Sequence, residues 1–596
     1  LQGTHHWKEL RLIMIKSEDK KILKRIVHLY KPYIKNIVAI ILCMVVSAAI
    51  STILPLLSKD IVDKGLIENN FSLLIKLVLT SFFLVLADQG IGFLEIRYRL
   101  YISLMIPYEL SKKAFKHTMK LDMKYFNSTN YGEIMNNLDM DVGNISKIAD
   151  NSLFFIVTQV FKIIGGVIGL FLIDWKLTLV VLLIIPAKYK VVKILAKKRQ
   201  EHFEKYMEVR QEYSSWYGDT LSGVKELKFM GLERIKTGEF IKQQRKLFKE
   251  EISINILDKI NEVSESVMFE IVTGLLYILG AYLIVGAKFT VGGLMAFITY
   301  SIYVTAPISA VLNIGYDFSN IIPSAKRFFK FIDMEPEEST QAGKKRVACD
   351  MIEGNIKFEN LSFSYDGVKE ILNNISFQIN KGEKIAIIGA NGSGKTTIIN
   401  LLLRVLKPTS GKIYIDDMDI SSISLKDYRS LISVVNQNPY LFNTTIKDNI
   451  LPGSKDYEKL YSAVKEIKIE NFIESLPEKY ETIVGVNGAN ISGGQKQKIA
   501  MARAIAKDSK IMILDEATSN YDIESELSVI ELILNGLEDR TVIMVTHKRQ
   551  VLEVVDKIIF IENGEIVDIG KHDELYERSE SYKELIGNFK ECVPNL

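Results

Sequence analysis

The stretch Gly389-Ala390-Asn391-Gly392-Ser393-Gly394-Lys395-Thr396-Thr397 fits the phosphate-loop pattern G-x-x-x-x-G-K-[ST]. An apolar run before it, Lys384-Ile385-Ala386-Ile387-Ile388, reads as a buried strand. Ile398-Ile399-Asn400-Leu401-Leu402-Leu403 after it reads as the start of a helix. Strand, glycine loop and helix are the context the pattern requires. Glycines let the backbone wrap close to a phosphate. The loop N–H groups and the helix N-terminus then face an anion. In that role Lys395 reaches the β- and γ-phosphates, the Thr396 hydroxyl ligates Mg²⁺, and the rest of the loop through Thr397 lines the nucleotide. Taken alone, the motif also fits a glycine-rich turn with a chance lysine.

The chain has 596 residues, too many for one core, so two or more domains are expected. A net charge of +3 argues against a dedicated nucleic-acid binder. Hydrophobic residues make up 48%, a total that hides an asymmetry: long apolar runs lie before residue 316 and a mixed pattern follows. Cys43, Cys349 and Cys592 have no metal or disulfide spacing. Residues 1–19 read as a tag or disordered N-terminus; within them His5-His6 points to a tag over 1–13, with Met14 as the native start. From Lys20 to Tyr30 a basic stretch carries apolar residues near helical spacing, as in a helix lying on the membrane face. An ordinary soluble amphipathic helix is the other reading.

Six spans are predicted within a membrane domain at 20–330. Ile37 to Leu57 carries no charge and is long enough to cross a bilayer. The second runs from Leu73 to Leu94 with Lys76 and Asp88 inside, and the third from Leu153 to Leu172 with Lys162. The fourth starts at Leu177 and soon meets Lys188. The fifth runs from Val267 to Ala287 around Glu270, and the sixth, Val291 to Ile314, is uncharged. Lys188, Lys190, Lys193, Lys197, Lys198 and Arg199 crowd the end of the fourth span, so the positive-inside rule puts both termini in the cytoplasm. Residues 98–150 and 197–262 are charged at helical spacing and read as helices continuing out of the membrane. Asn130–Met135 and Gly223–Met230 within them are either contact elements or hairpin tips with no partner. Asp88, Lys162 and Glu270 either line a pathway or form a structural set, because intramembrane charge is costly.

A polar linker over 331–352 leads to a second domain at 353–596. Asn355 to Tyr365 alternates as strands do, and Ile432-Ser433-Val434-Val435 is another strand candidate, followed by Gln437. Ile511-Met512-Ile513-Leu514 is an apolar run that delivers Asp515 and Glu516 to a strand end. There Asp515 helps hold Mg²⁺, and Glu516 orients or deprotonates an attacking water. Thr541 to Thr546 delivers His547, a candidate γ-phosphate contact. Ile491-Ser492-Gly493-Gly494-Gln495-Lys496-Gln497 opens a further helix, its serine and two glycines offering N–H groups and a hydroxyl to an anion.

With these motifs in place, residues 20–580 resemble the ATP-binding cassette family, in particular exporters with six spans fused to one cassette. The resemblance implies that Tyr365 stacks on adenine. Gln437 then senses Mg²⁺ and the membrane domain. Ser492, Gly493, Gly494 and Gln495 form the signature, with Ile491 in place of the usual leucine. Glu516 is the catalytic glutamate and His547 the switch histidine. It also implies two cassettes sandwiching two ATP molecules head to tail, Lys395 of one subunit facing Ser492 of the other. Three departures stand out: Val486 where a glutamate is usual after Val484-Gly485; Ser519-Asn520-Tyr521-Asp522 for Ser-Ala-Leu-Asp; and Lys548-Arg549-Gln550 for Arg-Leu-Ser.

The expected fold is an α-helical membrane domain of six transmembrane helices with long cytoplasmic extensions, joined to an α/β phosphate-loop ATPase domain. The expected function is ATP-driven export of a drug, lipid or peptide across the cytoplasmic membrane, with ATP and Mg²⁺ as cofactors. The partners are a second copy of the chain, membrane lipids and the transported molecule, with no nucleic acid. A heterodimer, a dedicated exporter of a peptide natural product, a flippase for a lipid-linked glycan, and an ATP-gated channel or sensor are the rivals.

Overall fold

The computed structural model describes residues 17–128, 131–147, 153–286, 289–338, 344–517, 530–532, 537 and 539–587. They fall into two compact units: residues up to 119 with 129–334, and residues 120–128 with 335–596.

The first unit is helical. Helix α1 (Ser17–Tyr30) is the basic amphipathic stretch. The spans lie on α2 (Ile34–Asp60), α3 (Phe71–Thr118), α5 (Leu153–Ile173), α6 (Trp175–Ser222), α8 (Glu233–Val285) and α9 (Val291–Thr305), with α4 (Tyr131–Lys147) and the short α7 (Val224–Phe229) between them and α10 (Pro307–Ile332) last. Helices α3 and α6 have 48 residues and α8 has 53. At 1.5 Å per residue they reach about 70–80 Å, while a hydrocarbon core is about 30 Å thick. Each must therefore run far beyond the bilayer, as the charged continuations predicted. Helices α2, α3, α5 and α8 are long and apolar enough to cross a membrane.

The other two spans differ from expectation. The sixth was predicted as one helix to Ile314, but α9 ends at Thr305 and a new helix starts at Pro307. Proline has no N–H to continue the ladder. The fourth span carries Lys188, which is buried and donates from Nζ to the Thr305 carbonyl at 2.8 Å. A cation at the C-terminal end of α9 satisfies a carbonyl that the helix break leaves exposed and complements the dipole. One member of the basic cluster thus serves helix packing.

Helix α1 does not lie free. Ile26 is buried, and Arg25 grips Asp333 through two bonds of 2.5 and 2.8 Å while its guanidinium sits 4.0 Å from the Phe329 ring centroid. Of Asp88, Lys162 and Glu270, Asp88 accepts from the Ser47 hydroxyl at 2.5 Å. Lys162 is half-buried and Glu270 is exposed; no ion pair joins these two among the described residues. Of the two candidate contact elements, α7 leaves Phe229 and Met230 exposed, whereas Asn130 lies outside the described residues.

The described residues of the second unit form ten strands: β1 (Ile356–Ser364), β2 (Glu370–Ile379), β3 (Lys384–Ile388), β4 (Ser410–Ile415), β5 (Met418–Asp419), β6 (Ile432–Val435), β7 (Ile511–Asp515), β8 (Thr541–Val545), β9 (Lys557–Glu562) and β10 (Glu565–Gly570). An antiparallel sheet has the order β2-β1-β4-β5. The larger sheet has the order β10-β9-β3-β8-β7-β6, parallel except for β10. All five residues of β3 and of β8 are buried, as are the first four of β7. Parallel strands covered on both faces read as continuous apolar runs, which is why these were visible in sequence.

Candidate active site

In an open parallel sheet, ligands bind beyond the carboxyl ends of the strands. Here β3 runs into the glycine loop, β6 into Gln437, β7 into Asp515 and Glu516, and β8 toward His547. The order β3-β8-β7-β6 brings these ends onto one edge.

The loop ends in helix α11 (Lys395–Leu402), which begins three residues earlier than its apolar pattern predicted. Gly394 has φ +105°, a conformation side chains avoid, and sits directly before the helix. A Cβ on Gly389 would lie 2.1 Å from the Ile561 carbonyl, so a neighbouring backbone fixes that glycine. Gly389→Ala should therefore weaken nucleotide binding more than tenfold, measured with a fluorescent ATP analogue. Lys395 is buried and donates to the carbonyls of Gly389 (2.8 Å) and Ala390 (3.0 Å). Burial lowers its pKa, while Glu516 and Asp515 act to raise it. Asn391, Gly392 and Thr396 are exposed, and Ser393, Gly394 and Thr397 are buried. The Tyr365 hydroxyl lies 3.5 Å from Thr397 Oγ1, its ring edge-on to Phe363 and 58% exposed.

The carboxylates gather around this lysine. Burial and repulsion from Glu516 raise the Asp515 pKa, with Lys395 opposing. Glu516 occupies the left-handed region at φ +48°, and its N–H donates to Val545 at 3.0 Å. Such strain concentrates at functional positions. Gln437 donates from Nε2 to Glu516 Oε2. His547 Nε2 is 3.7 Å from Glu516 Oε1; burial and the charge of Lys395 lower its pKa, against the pull of Glu516. The net effect pushes the imidazole toward its neutral form.

Ser492 starts helix α12 (Gly493–Ala506) with a reciprocal cap. Its hydroxyl accepts from Gln495 N–H at 3.3 Å, and Gln495 Oε1 accepts from Ser492 N–H at 2.9 Å. Ser492 and Gly493 are exposed while Gly494 and Gln495 are half-buried. Among the described residues Ser492 makes no hydrogen bond to the phosphate loop. Sequence reasoning placed Gln497 in the signature stretch but missed its role. It is buried and donates from Nε2 to the Gln437 carbonyl at 3.3 Å. Gln497, Met501 and Ala504 are all buried at helical spacing, and a polar residue within such a stripe was the available signal. Arg503, also missed, reaches the carbonyls of Asn449 (2.6 Å) and Tyr440 (3.0 Å).

This arrangement defines a phosphate-loop ATPase fused to a helical membrane unit. The chain matches the ABC transporter transmembrane region over residues 37–308 and the ABC transporter family over 372–519. It is 30% identical over 576 residues to a putative multidrug export ATP-binding/permease protein of Bacillus subtilis, covering 95% of this chain and 98% of the relative. It is 31% identical over 575 residues to an ATP-dependent lipid A-core flippase of Desulfotalea psychrophila, covering 95% and 99%. A solved bacterial Atm1-family ABC exporter with ATP bound shares the fold at a TM-score of 0.81 and 23% identity, covering 93% of this chain and 98% of that one. The chain belongs to the ABC transporter family, in its exporter form with membrane region and cassette fused. It is a membrane protein that binds nucleotide and couples ATP hydrolysis to transport.

Proposed function

We propose that two copies of this chain, with both termini in the cytoplasm, export an amphipathic molecule across the cytoplasmic membrane. The observation that carries this reading is the convergence of Lys395, Gln437, Glu516 and His547 on one sheet edge, with Ser492 capping a separate helix end. Each half of a binding site is thus present on one chain, and a second copy turned head to tail completes two sites. Tyr365 offers a ring face to adenine, and Lys395 with the loop N–H groups takes the phosphates. The donor set Thr396, Asp515 and Gln437 supplies the oxygen ligands that Mg²⁺ prefers. Burial, and after it repulsion from Glu516, raise the Asp515 pKa, and a cation bound there would favour the charged carboxylate. A magnesium ion held by these residues would neutralise phosphate charge. Glu516 accepts the proton of the attacking water, Gln437 holds that carboxylate, and His547 contacts the γ-phosphate. The substrate class follows the relatives, which are named for multidrug export and for flipping lipid A-core.

The test is ATPase activity in lipid nanodiscs against a panel of cationic dyes, phospholipids and amphipathic peptides. Stimulation by some panel members is expected. An ion current opened by ATP without such stimulation would reject export.

Glu270 belongs to the transport pathway in this reading. An acid in a span cannot face lipid cheaply; insertion scales give roughly +2.5 to +3.5 kcal/mol at the centre. It is exposed on the single chain, so a dimer cavity is the surface available to it. Glu270→Gln should keep folding and basal ATPase near normal and change substrate stimulation. If instead Lys162→Met restores stability lost in Glu270→Gln, with transport unchanged, the two form a structural pair.

A further inference from the structure

We infer that Gln497 is a positioning residue that ties the helix of one ATP site to the carboxylate of the other. The inference rests on the head-to-tail dimer proposed above. In that dimer Ser492 of a chain serves one ATP, while Gln437 and Glu516 of the same chain serve the second. Some path within the chain must connect the two ends if the sites are to fire in concert. One such path among the described residues runs through the side chains of Gln497 and Gln437. Ser492 caps α12, and Gln497 lies five residues along that helix. Its amide donates to the Gln437 carbonyl at 3.3 Å, and the Gln437 amide donates to Glu516 Oε2. A shift of α12 on engaging a phosphate therefore pulls on the loop that orients the base.

Arg503 makes the connection stiff. Its guanidinium binds the Tyr440 carbonyl at 3.0 Å and both the carbonyl and side-chain oxygen of Asn449 at 2.6 and 3.0 Å. Asn449 in turn holds Phe442 through N–H and carbonyl, each at 2.9 Å. The loop after Gln437 is thus anchored to α12 at two levels, the first of which aims Gln437. Gln497 touches no nucleotide group in this scheme and acts on the base through Gln437.

Gln497→Met keeps the volume of a buried side chain and removes its donor; the Gln437 carbonyl is left on an exposed residue, where water replaces the bond. In the purified full-length protein, kcat should fall about tenfold, with KM for ATP and equilibrium ATP binding within about twofold of wild type. Activity within twofold of wild type would overturn the link, as would kcat, ATP binding and melting temperature all falling together. Mixed dimers then locate the effect. One chain carries Glu516→Gln, so only the other chain's carboxylate works. Gln497→Met should slow turnover tenfold when placed on the chain with the working Glu516, and by less than twofold on the chain with the disabled one. Equal losses in both arrangements would overturn the link. Failure of composite sites would show differently: activity would equal the average of the parent proteins, and the kcat change in the all-mutant protein would still decide whether Gln497 aims the base.

Discussion

Glu516→Gln should bind ATP as wild type does and lose turnover by roughly 10²–10⁴-fold, the usual worth of a general base. The substitution keeps the shape of the side chain and leaves an oxygen to accept the Gln437 amide, so the hydrogen bond that holds residue 516 in place survives. The backbone at φ +48° is equally available to either residue, so no new strain enters. What disappears is the ability to take a proton from water. In this reading the neighbours are committed elsewhere, Asp515 to the metal position and His547 to the γ-phosphate, so Glu516 alone faces the attacking water. Steady-state ATPase and ATP binding measured on one preparation check this. Turnover within about threefold of wild type would remove Glu516 from the role of base.

The second large effect comes from mixing two lesions. Lys395→Ala removes the cation that faces the phosphates, and Ser492→Ala removes the hydroxyl that opens α12. Each alone damages both sites of a symmetric dimer. In a dimer of one Lys395→Ala chain and one Ser492→Ala chain, head-to-tail pairing puts both lesions in one site and leaves the other intact. Such dimers, purified with two different tags, should recover up to about half of wild-type ATPase while either parent has nearly none. Two equally damaged sites would show that Lys395 and Ser492 do not meet across the dimer.

Much of this site was legible in sequence because its signals are local. A buried parallel strand is an apolar run, and its chemistry follows at the carboxyl end, as at Lys384 to Lys395 and Ile511 to Glu516. Gln437 and His547 could be found for the same reason. The strand order, with β8 between β3 and β7, is not local; it is what turns four separate motifs into one edge. The role of Gln497 escaped because its bond is to a backbone carbonyl sixty positions away, which leaves no pattern of side chains. The left-handed backbone of Glu516 was invisible for a similar reason. In the membrane unit, long apolar runs marked the helices, whereas the break at Pro307 and the use of Lys188 depend on which helix lies beside which. Among the departures from the family pattern, Val486 is exposed after Gly485 with φ +78°, and Ser519 to Asp522 lie outside the described residues.

Flux that depends on hydrolysis separates a pump from a channel. Inside-out vesicles containing the wild-type chain or Glu516→Gln, loaded by addition of a fluorescent cationic dye or a fluorescent phospholipid with Mg²⁺ and ATP, provide the measurement. The expected result is ATP-dependent accumulation with the wild type and none above background with Glu516→Gln, although both bind ATP. Equal flux through both proteins would contradict export driven by ATP hydrolysis.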